Sequence, residues 1–422
     1  MLKSLKRAFQ IPALRKRIIF TLLMLVVYRV GANILVPGMD NSMIKSQFEQ
    51  SDFLSMYDML SGGALSQFTL FALGVTPYIT ASIIMQLLAV AIPSLEEMQK
   101  EGEEGRKKIS AYTRYMSVGL AIFQSFALSY GFFNSAIITK DTLSVISIVL
   151  TLTAGTTFLM WLGEIITEKG LGNGMSFLIY AGIVSRYPTE LKRTVELAKT
   201  GEIGGMQLLV FLIMSILIIV GVIMILEGTR KIPVQYAKRV VGKNTYGGQN
   251  SFIPLKVNQA SVIPVIFASS VMMMPEMIGF FVKSSEYNSF IHKYLSIQGN
   301  PGIYIYSITQ FLLVFAFSYF YIEITFKPDE VADNLKRGNG FIPGIRPGKP
   351  TEEFIRRSLN RLTFVGAIFL SIMAALPTIF IRAVNLPFRF GGTSLLIVVG
   401  VAIEMMRVIE AQSVMREYKG FL

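Results

Sequence analysis

Few side chains in this sequence are equipped for chemistry, and their distribution decides which chemistry is out of reach. Of 422 residues, one is histidine and none is cysteine. His292 falls in a connecting stretch, so neither a histidine-based triad nor a metal cluster can be assembled around it. Without cysteine there are no disulfides and no thiolate ligands. The glycines of GLGNG, residues 170–174, resemble a phosphate loop, but they join two apolar stretches, follow no strand and lack the lysine followed by Ser or Thr of a Walker motif. They read as a tight turn. Glu164, Glu276, Glu323, Glu404 and Arg407 lie toward the ends of apolar stretches, and Glu404 and Arg407 are spaced to pair on a helix. Arg29 lies deeper, alone. An ion-coupled solute transporter would want ionisable groups near the midplane of the membrane, so that reading stands as the alternative. The chain is not expected to be an enzyme, and no metal or cofactor is expected.

The elements that carry these residues are membrane spans. The chain is 52% hydrophobic and 16% charged, the composition of an integral membrane protein. Ten apolar stretches are long enough to cross a hydrocarbon core of about 30 Å as helices: 18–36, 74–92, 112–133, 143–167, 171–187, 206–226, 259–282, 302–326, 359–384 and 393–410. No ten-residue alternation suggests a barrel. The first stretch is too long for a signal-peptide core and has no small-residue cleavage site, so it is expected to be a retained span. Lys and Arg number 6, 4, 1, 6, 7 and 2 in the N-terminus, alternate loops and C-terminus, against 1, 1, 3, 2 and 1 in the other loops. The richer side is cytoplasmic by the positive-inside rule, which places both termini there and accounts for much of the +13 net charge. The expected location is therefore a membrane, crossed several times.

Ten spans divide into five and five, and an odd repeat inverts the second half relative to the first. Pro77 interrupts the second span of one half, Pro264 and Pro275 that of the other, which points to a site between the halves. Expected boundaries are an amphipathic cytoplasmic N-terminus 1–17, an N-terminal half 18–187, an external hinge loop 188–205, a C-terminal half 206–410 and a cytoplasmic tail 411–422. Along the second span, Val75, Ile79, Ser82 and Gln86 share a face. That face is aliphatic at mid-membrane and polar toward the cytoplasm, as suits a constriction opening into a wet vestibule. The preceding segment 54–68 carries Asp58, Ser61, Ser66, Gln67 and the pair Gly62–Gly63, and cannot cross alone. It reads as a half-helix folded inside the molecule or as an external re-entrant loop, since irregular backbone at this depth needs cover from protein or water.

Two loops exceed ordinary connectors. Residues 229–258 have β-branched runs flanking Gly247–Gly248 and read as a protruding hairpin. Residues 327–357, dense in Gly and Pro, form a stiff tip around Arg346. Both are basic and suit the acidic or phosphate surface of a large cytosolic partner, although no RNA-recognition module is visible.

The segments FALGVTPYITASIIMQLL, FLMWLGEIITEKGLGNGMSFLIYAGIV, KVNQASVIPVIFASS, ADNLKRGNGFIPGIRPGKPT and PFRFGGTSLLIVVGV together resemble the SecY family, the channel subunits of bacterial protein translocases. The resemblance runs in order along essentially the whole chain. It implies an all-α clamshell of two five-helix halves that threads unfolded polypeptide bearing a signal sequence across the membrane and releases apolar segments sideways into the lipid bilayer. It further implies a pore ring of Val75, Ile79, Ile179, Ile266 and Ile397, a plug at 54–68 including Tyr57, Leu60, Gly62, Gly63 and Leu65, and a lateral gate. The gate would be Thr80, Ile83 and Gln86 against Ser270, Met272, Met273 and Met274, methionine suiting varied apolar guests. Partners implied are the small membrane subunits SecE and SecG, the ATPase SecA, and the translating ribosome. The last two would dock on Lys238, Arg239, Lys243, Lys336, Arg337 and Arg346.

Overall fold

The architecture comes from a computed structural model. It describes residues 9–419 apart from 51–53, 55–56, 59–60, 202, 237–238, 242–243, 247–249, 283, 297–298, 300 and 384–391. Leu60, Lys238, Lys243 and the Gly247–Gly248 pair therefore lie outside the described residues, as do 1–8 and 420–422 of the termini.

The first half contains α1 (Pro12–Gly31), a short α2 (Asn41–Gln50), α3 (Thr76–Ala91), α4 (Pro93–Lys100), α5 (Glu103–Phe126) running into a π-turn (Ala127–Phe132), α6 (Thr142–Lys169) and α7 (Gly174–Lys199). The second contains α8 (Gly205–Glu227), strands β1 (Thr229–Tyr236), β2 (Arg239–Val241), β3 (Asn244–Tyr246) and β4 (Asn250–Lys256), then α9 (Ile263–Val282) and α10 (Ser285–Tyr294). It continues with α11 (Gly302–Thr325), α12 (Pro328–Arg337), β5 (Gly340–Phe341), α13 (Lys349–Ala383) and α14 (Gly392–Lys419). By length and apolarity, four of the described helices qualify as membrane spans, and α3 with α4 makes a fifth if taken as one span bent by 100°. The bend falls at Ile92, whose extended backbone precedes Pro93; a residue before proline is kept out of the helical region.

The neighbour scheme repeats between the halves. In the first, α3 packs on α5, α5 on α6 and α6 on α7, with α1 against α6 and α7; in the second, α9 packs on α11, α11 on α13 and α13 on α14, with α8 against α13 and α14. The halves meet where α9 touches α3 and the π-turn, and where α14 touches α7 and α1.

Several expected boundaries move. Helix α1 starts at Pro12, so part of the expected 1–17 terminus is helical, and it ends at Gly31 rather than 36. Beyond it Val36 is 4% exposed and donates its N–H to the Phe68 carbonyl: the apolar run continues because it packs on protein. The expected hinge loop 188–205 is helical to Lys199, leaving a link of only a few residues. Pro188 lies inside that helix rather than ending it, and the Arg186–Glu190 pair one turn apart spans the proline. Pro77 and Pro264 are not mid-helix breaks either: each stands second in its helix, α3 and α9, in the first turn where a missing N–H costs nothing. Pro275 alone of the three sits inside a helix.

The two long loops expected on the cytoplasmic side are one body. Strand β1 pairs with β4 from Thr229↔Lys256 to Gln235↔Asn250, and its end also pairs with β5 at Gln235↔Phe341 and Tyr236↔Gly340. Buried Ile232 and Val234 alternate along β1 and join Leu255, Leu335, Ile342 and Ile355 in a small separate core. The β2–β3 ladder continues the same register to Val241↔Asn244.

Candidate functional site: an apolar waist and the segment before α3

The chemistry-bearing motifs resolve into structure. In GLGNG, Gly172 takes φ +62° and Asn173 caps α7, its Oδ1 accepting the N–H groups of Met175 at 3.0 Å and Ser176 at 3.3 Å. A Cβ on Gly174 would lie 2.0 Å from the Gly163 carbonyl oxygen, so glycine is required by the close approach of α6 and α7. His292 is exposed on α10, and no cluster of metal-ligating side chains occurs among the described residues. Arg407 donates to the Leu226 carbonyl, satisfying an otherwise open group in the last turn of α8.

Val75, Ile79, Ile179, Ile266 and Ile397 are 6, 7, 3, 5 and 1% exposed and belong to a single apolar cluster. Ile79 comes from α3, Ile179 from α7, Ile266 from α9 and Ile397 from α14, while Val75 is the N-cap residue of α3. The same cluster contains Leu54, Tyr57, Ala64 and Leu65. One and two turns along α3 from Ile79, Ser82 and Gln86 are less buried, and Gln86 donates to the Ser82 hydroxyl at 3.2 Å. Gln259 and Glu404 are likewise partly exposed, whereas Ser176 is 8% exposed.

The segment before α3 lies inside the molecule. Leu54, Tyr57, Asp58 and Ser61 are helical where described and at most 2% exposed. The expected half-helix does not reach 68: from Gly62 the chain runs in turns, with Gly62 at φ +70° and Gly63 at φ +89°, left-handed values that suit glycine. Gly62 rests on α7, where a Cβ would come 2.5 Å from the Gly182 Cα. Ser185 donates its hydroxyl to the Gly62 carbonyl at 3.4 Å, and Tyr28 donates to that of Ser61 at 3.3 Å. The far end is tied to the exit of α1 by Leu70 N–H on the Ile34 carbonyl at 2.8 Å and a bridge between Leu35 and Thr69. Phe68, 0% exposed at φ +48°, packs edge-on to Phe133. Seating Leu54 and Leu65 here rather than in water stabilises the arrangement by about 1.5–3 kcal/mol each.

The contact of α3 with α9 brings the two sides of the expected gate together. Thr80, Ile83, Ser270, Met272 and Met273 are buried, Gln86 and Met274 partly so. Thr80 donates to the Thr76 carbonyl at 3.1 Å and Ser270 to that of Ile266 at 3.0 Å. Each hydroxyl is satisfied on its own helix, so parting the seam strands neither. The π-turn of 127–132 also touches α9, a part of this seam with no sequence signal, although π-turns recur at functional sites. Nor was there a signal for Arg186, whose guanidinium meets the buried Asp58 carboxylate at 2.7 Å.

On the body formed with β1, β4 and β5, Lys336, Arg337 and Arg346 are exposed. Arg239 lies on β2. The Arg346 turn is braced by Thr351, whose hydroxyl donates to the Arg346 carbonyl at 2.9 Å, and by Gly344 and Gly348 at φ +81° and +98°.

Comparison with known proteins agrees with this geometry. The family model described as SecY matches residues 69–406. A protein translocase subunit SecY from Streptomyces galbus is 43% identical over 444 residues, covering 100% of both chains. Two solved structures share the fold, each covering 94% of this chain and 91% of its own. One, of a SecY channel whose plug domain stabilises the closed state and maintains a membrane seal, has a TM-score of 0.71 at 22% identity. The other, Sec61 in the canine ribosome–channel complex from the endoplasmic reticulum, has a TM-score of 0.65 at 20% identity. The solute-transporter alternative finds no support in these matches. A family model over most of the sequence, a full-length relative at this identity and an apolar waist at the junction of two like halves lead to one conclusion: the chain belongs to the SecY family and is a protein-conducting channel.

Proposed function

We propose that this channel lies in a bacterial inner membrane with both termini cytoplasmic, passes unfolded secretory polypeptides through a ring of Val75, Ile79, Ile179, Ile266 and Ile397, and releases apolar segments between α3 and α9. Residues 54–68 act as the plug. The observation that carries this reading is the shared apolar cluster: four helices contribute the branched side chains, and Leu54, Tyr57, Ala64 and Leu65 belong to the same cluster. Branched apolar groups exclude water when closed, yet yield to a passing chain without binding it.

The chain does no covalent chemistry of its own in this scheme. The driving force comes from SecA or the translating ribosome, docked on the sheet formed by β1, β4 and β5 and on the Arg346 turn, while SecE and SecG hold the halves together. The basic, exposed Lys336, Arg337 and Arg346 support such docking, and the Sec61 relative is known in a ribosome–channel complex. The test is reconstitution in lipid vesicles with SecE, SecG, SecA, ATP and a secretory precursor. The precursor should become protease-protected only when ATP and a functional signal sequence are both present; protection that ignores either would refute the scheme.

A further inference from the structure

Asp58 is a charged residue placed where a charge is expensive, at 1% exposure. Its carboxylate meets two hydrogen-bond donors and one cation. The Ser66 N–H reaches Oδ1 at 2.8 Å and the Ser61 hydroxyl approaches it at 3.4 Å; both belong to the plug and would travel with it. The cation is Arg186 on the wall helix α7, an ion pair with Nη1 2.7 Å from Oδ2, an oxygen that has no hydrogen-bond donor of its own. It is the charged tie between plug and wall, beside the weaker ones from Ser185 and Tyr28. Seven residues beyond Ile179, it stands about 10 Å along the helix from the waist. Arg186 also faces a second carboxylate: Glu190, one turn on, lies 3.8 Å from Nη2 with its side chain 13% exposed.

We propose that Asp58 and Arg186 are a latch that holds the plug shut, and that Glu190 takes over Arg186 when the plug leaves. A buried charge stripped of its partner is strongly unfavourable, so a pair with no alternative would lock the channel. With Glu190 one turn away, Arg186 stays paired on its own helix, and Asp58 leaves with the plug toward external water. Closure is then strong while opening remains reversible. The proposal rests on 54–68 being the plug.

The test measures resting ion leak in vesicles carrying the full chain with its co-purifying membrane subunits. Asp58→Asn keeps the acceptor for Ser66 and should raise the leak a few-fold. Arg186→Gln leaves a buried carboxylate without a counter-charge and should raise it about tenfold or more. The double variant should leak less than Arg186→Gln alone, because the unpaired carboxylate is gone. Glu190→Gln should leave the resting leak unchanged and slow precursor transport several-fold. Displacement is read separately from unfolding by Ala64→Cys and Ala121→Cys, both positions being at most 1% exposed in the parent. In the Arg186→Gln background, the first should react with an external thiol reagent and the second should stay protected. An unchanged leak in Arg186→Gln, or additive effects in the double variant, would overturn the latch. Deletion of 56–66 separates the two readings: if it leaks while the latch variants stay sealed, the plug stands and the latch fails; if it does not leak, both fail.

Discussion

Ile179 and Ile266 illustrate what a single branched side chain does at the waist. Each is at most 5% exposed, the two lie on different helices, and both belong to one apolar cluster. Ile179→Asn with Ile266→Asn puts two amides where the closed pore stays dry, so water should enter. A wetted ring lowers the desolvation barrier for ions, which a membrane potential drives with about 2.3 kcal/mol per charge per 100 mV. The expected outcome is a resting leak well above the parent's, with polypeptide transport retained. Asn at the lipid-facing Leu209 and Leu217, 54 and 58% exposed, controls for general destabilisation. A ring variant as tight as the parent, folded and inserted, would remove these residues from the seal. What was legible at this scale was uneven. The turn from aliphatic to polar along Val75, Ile79, Ser82 and Gln86 was visible, because helical periodicity is local. The choice of Ile179 over other isoleucines came only through family resemblance, since one apolar residue in a span looks like the next. Arg186 carried no signal: arginine near a span end reads as a topology charge, and its partner Asp58 lies on a distant element.

Elements were easier to find than to bound. Local apolarity marks where a helix must be, but not where it stops being covered by lipid, which is why α7 runs on to Lys199 and Val36 leaves α1 yet remains buried. The same blindness to tertiary pairing split one body into two loops: nothing local in Gly340–Phe341 announces an edge strand for β1. That pairing changes the expected consequence of mutating Arg346. The residue is exposed on a turn braced by Thr351 and by two left-handed glycines, on a support with its own small core, so reversal of its charge should not disturb folding. A guanidinium on a rigid tip can engage a partner carboxylate through two parallel hydrogen bonds. Arg346→Glu replaces that attraction with repulsion. Transport driven by SecA should fall at least tenfold while the level of inserted channel stays within about twofold of the parent. Equal transport by parent and variant would reduce Arg346 to a topology charge.

At the scale of the molecule, the neighbour scheme of α1–α7 repeats in α8–α14, whereas an inversion of the halves follows only if each holds an odd number of spans. The length and apolarity of the described helices identify four spans, or five with the bent pair. The other expected spans fall on α1, α5, α7, α9 and α14, and their orientation would decide whether the halves are inverted. Because the chain has no cysteine, single substitutions can report it directly. Lys336 is exposed at the end of α12, on the body formed with β1, β4 and β5, and Asn288 is exposed on α10 between α9 and α11. These sites lie on opposite sides of the membrane if α9 and α11 each cross it once, since Lys336 follows α11 directly and Asn288 precedes it. In intact cells a membrane-impermeant thiol reagent should label Asn288→Cys, and Lys336→Cys only after the membrane is opened. Labelling of Lys336→Cys from outside would reverse the topology and remove the docking body from the reach of any cytosolic motor. Labelling of both from the same side would abolish the crossing of α11, and with it the five-and-five division on which the inverted clamshell depends.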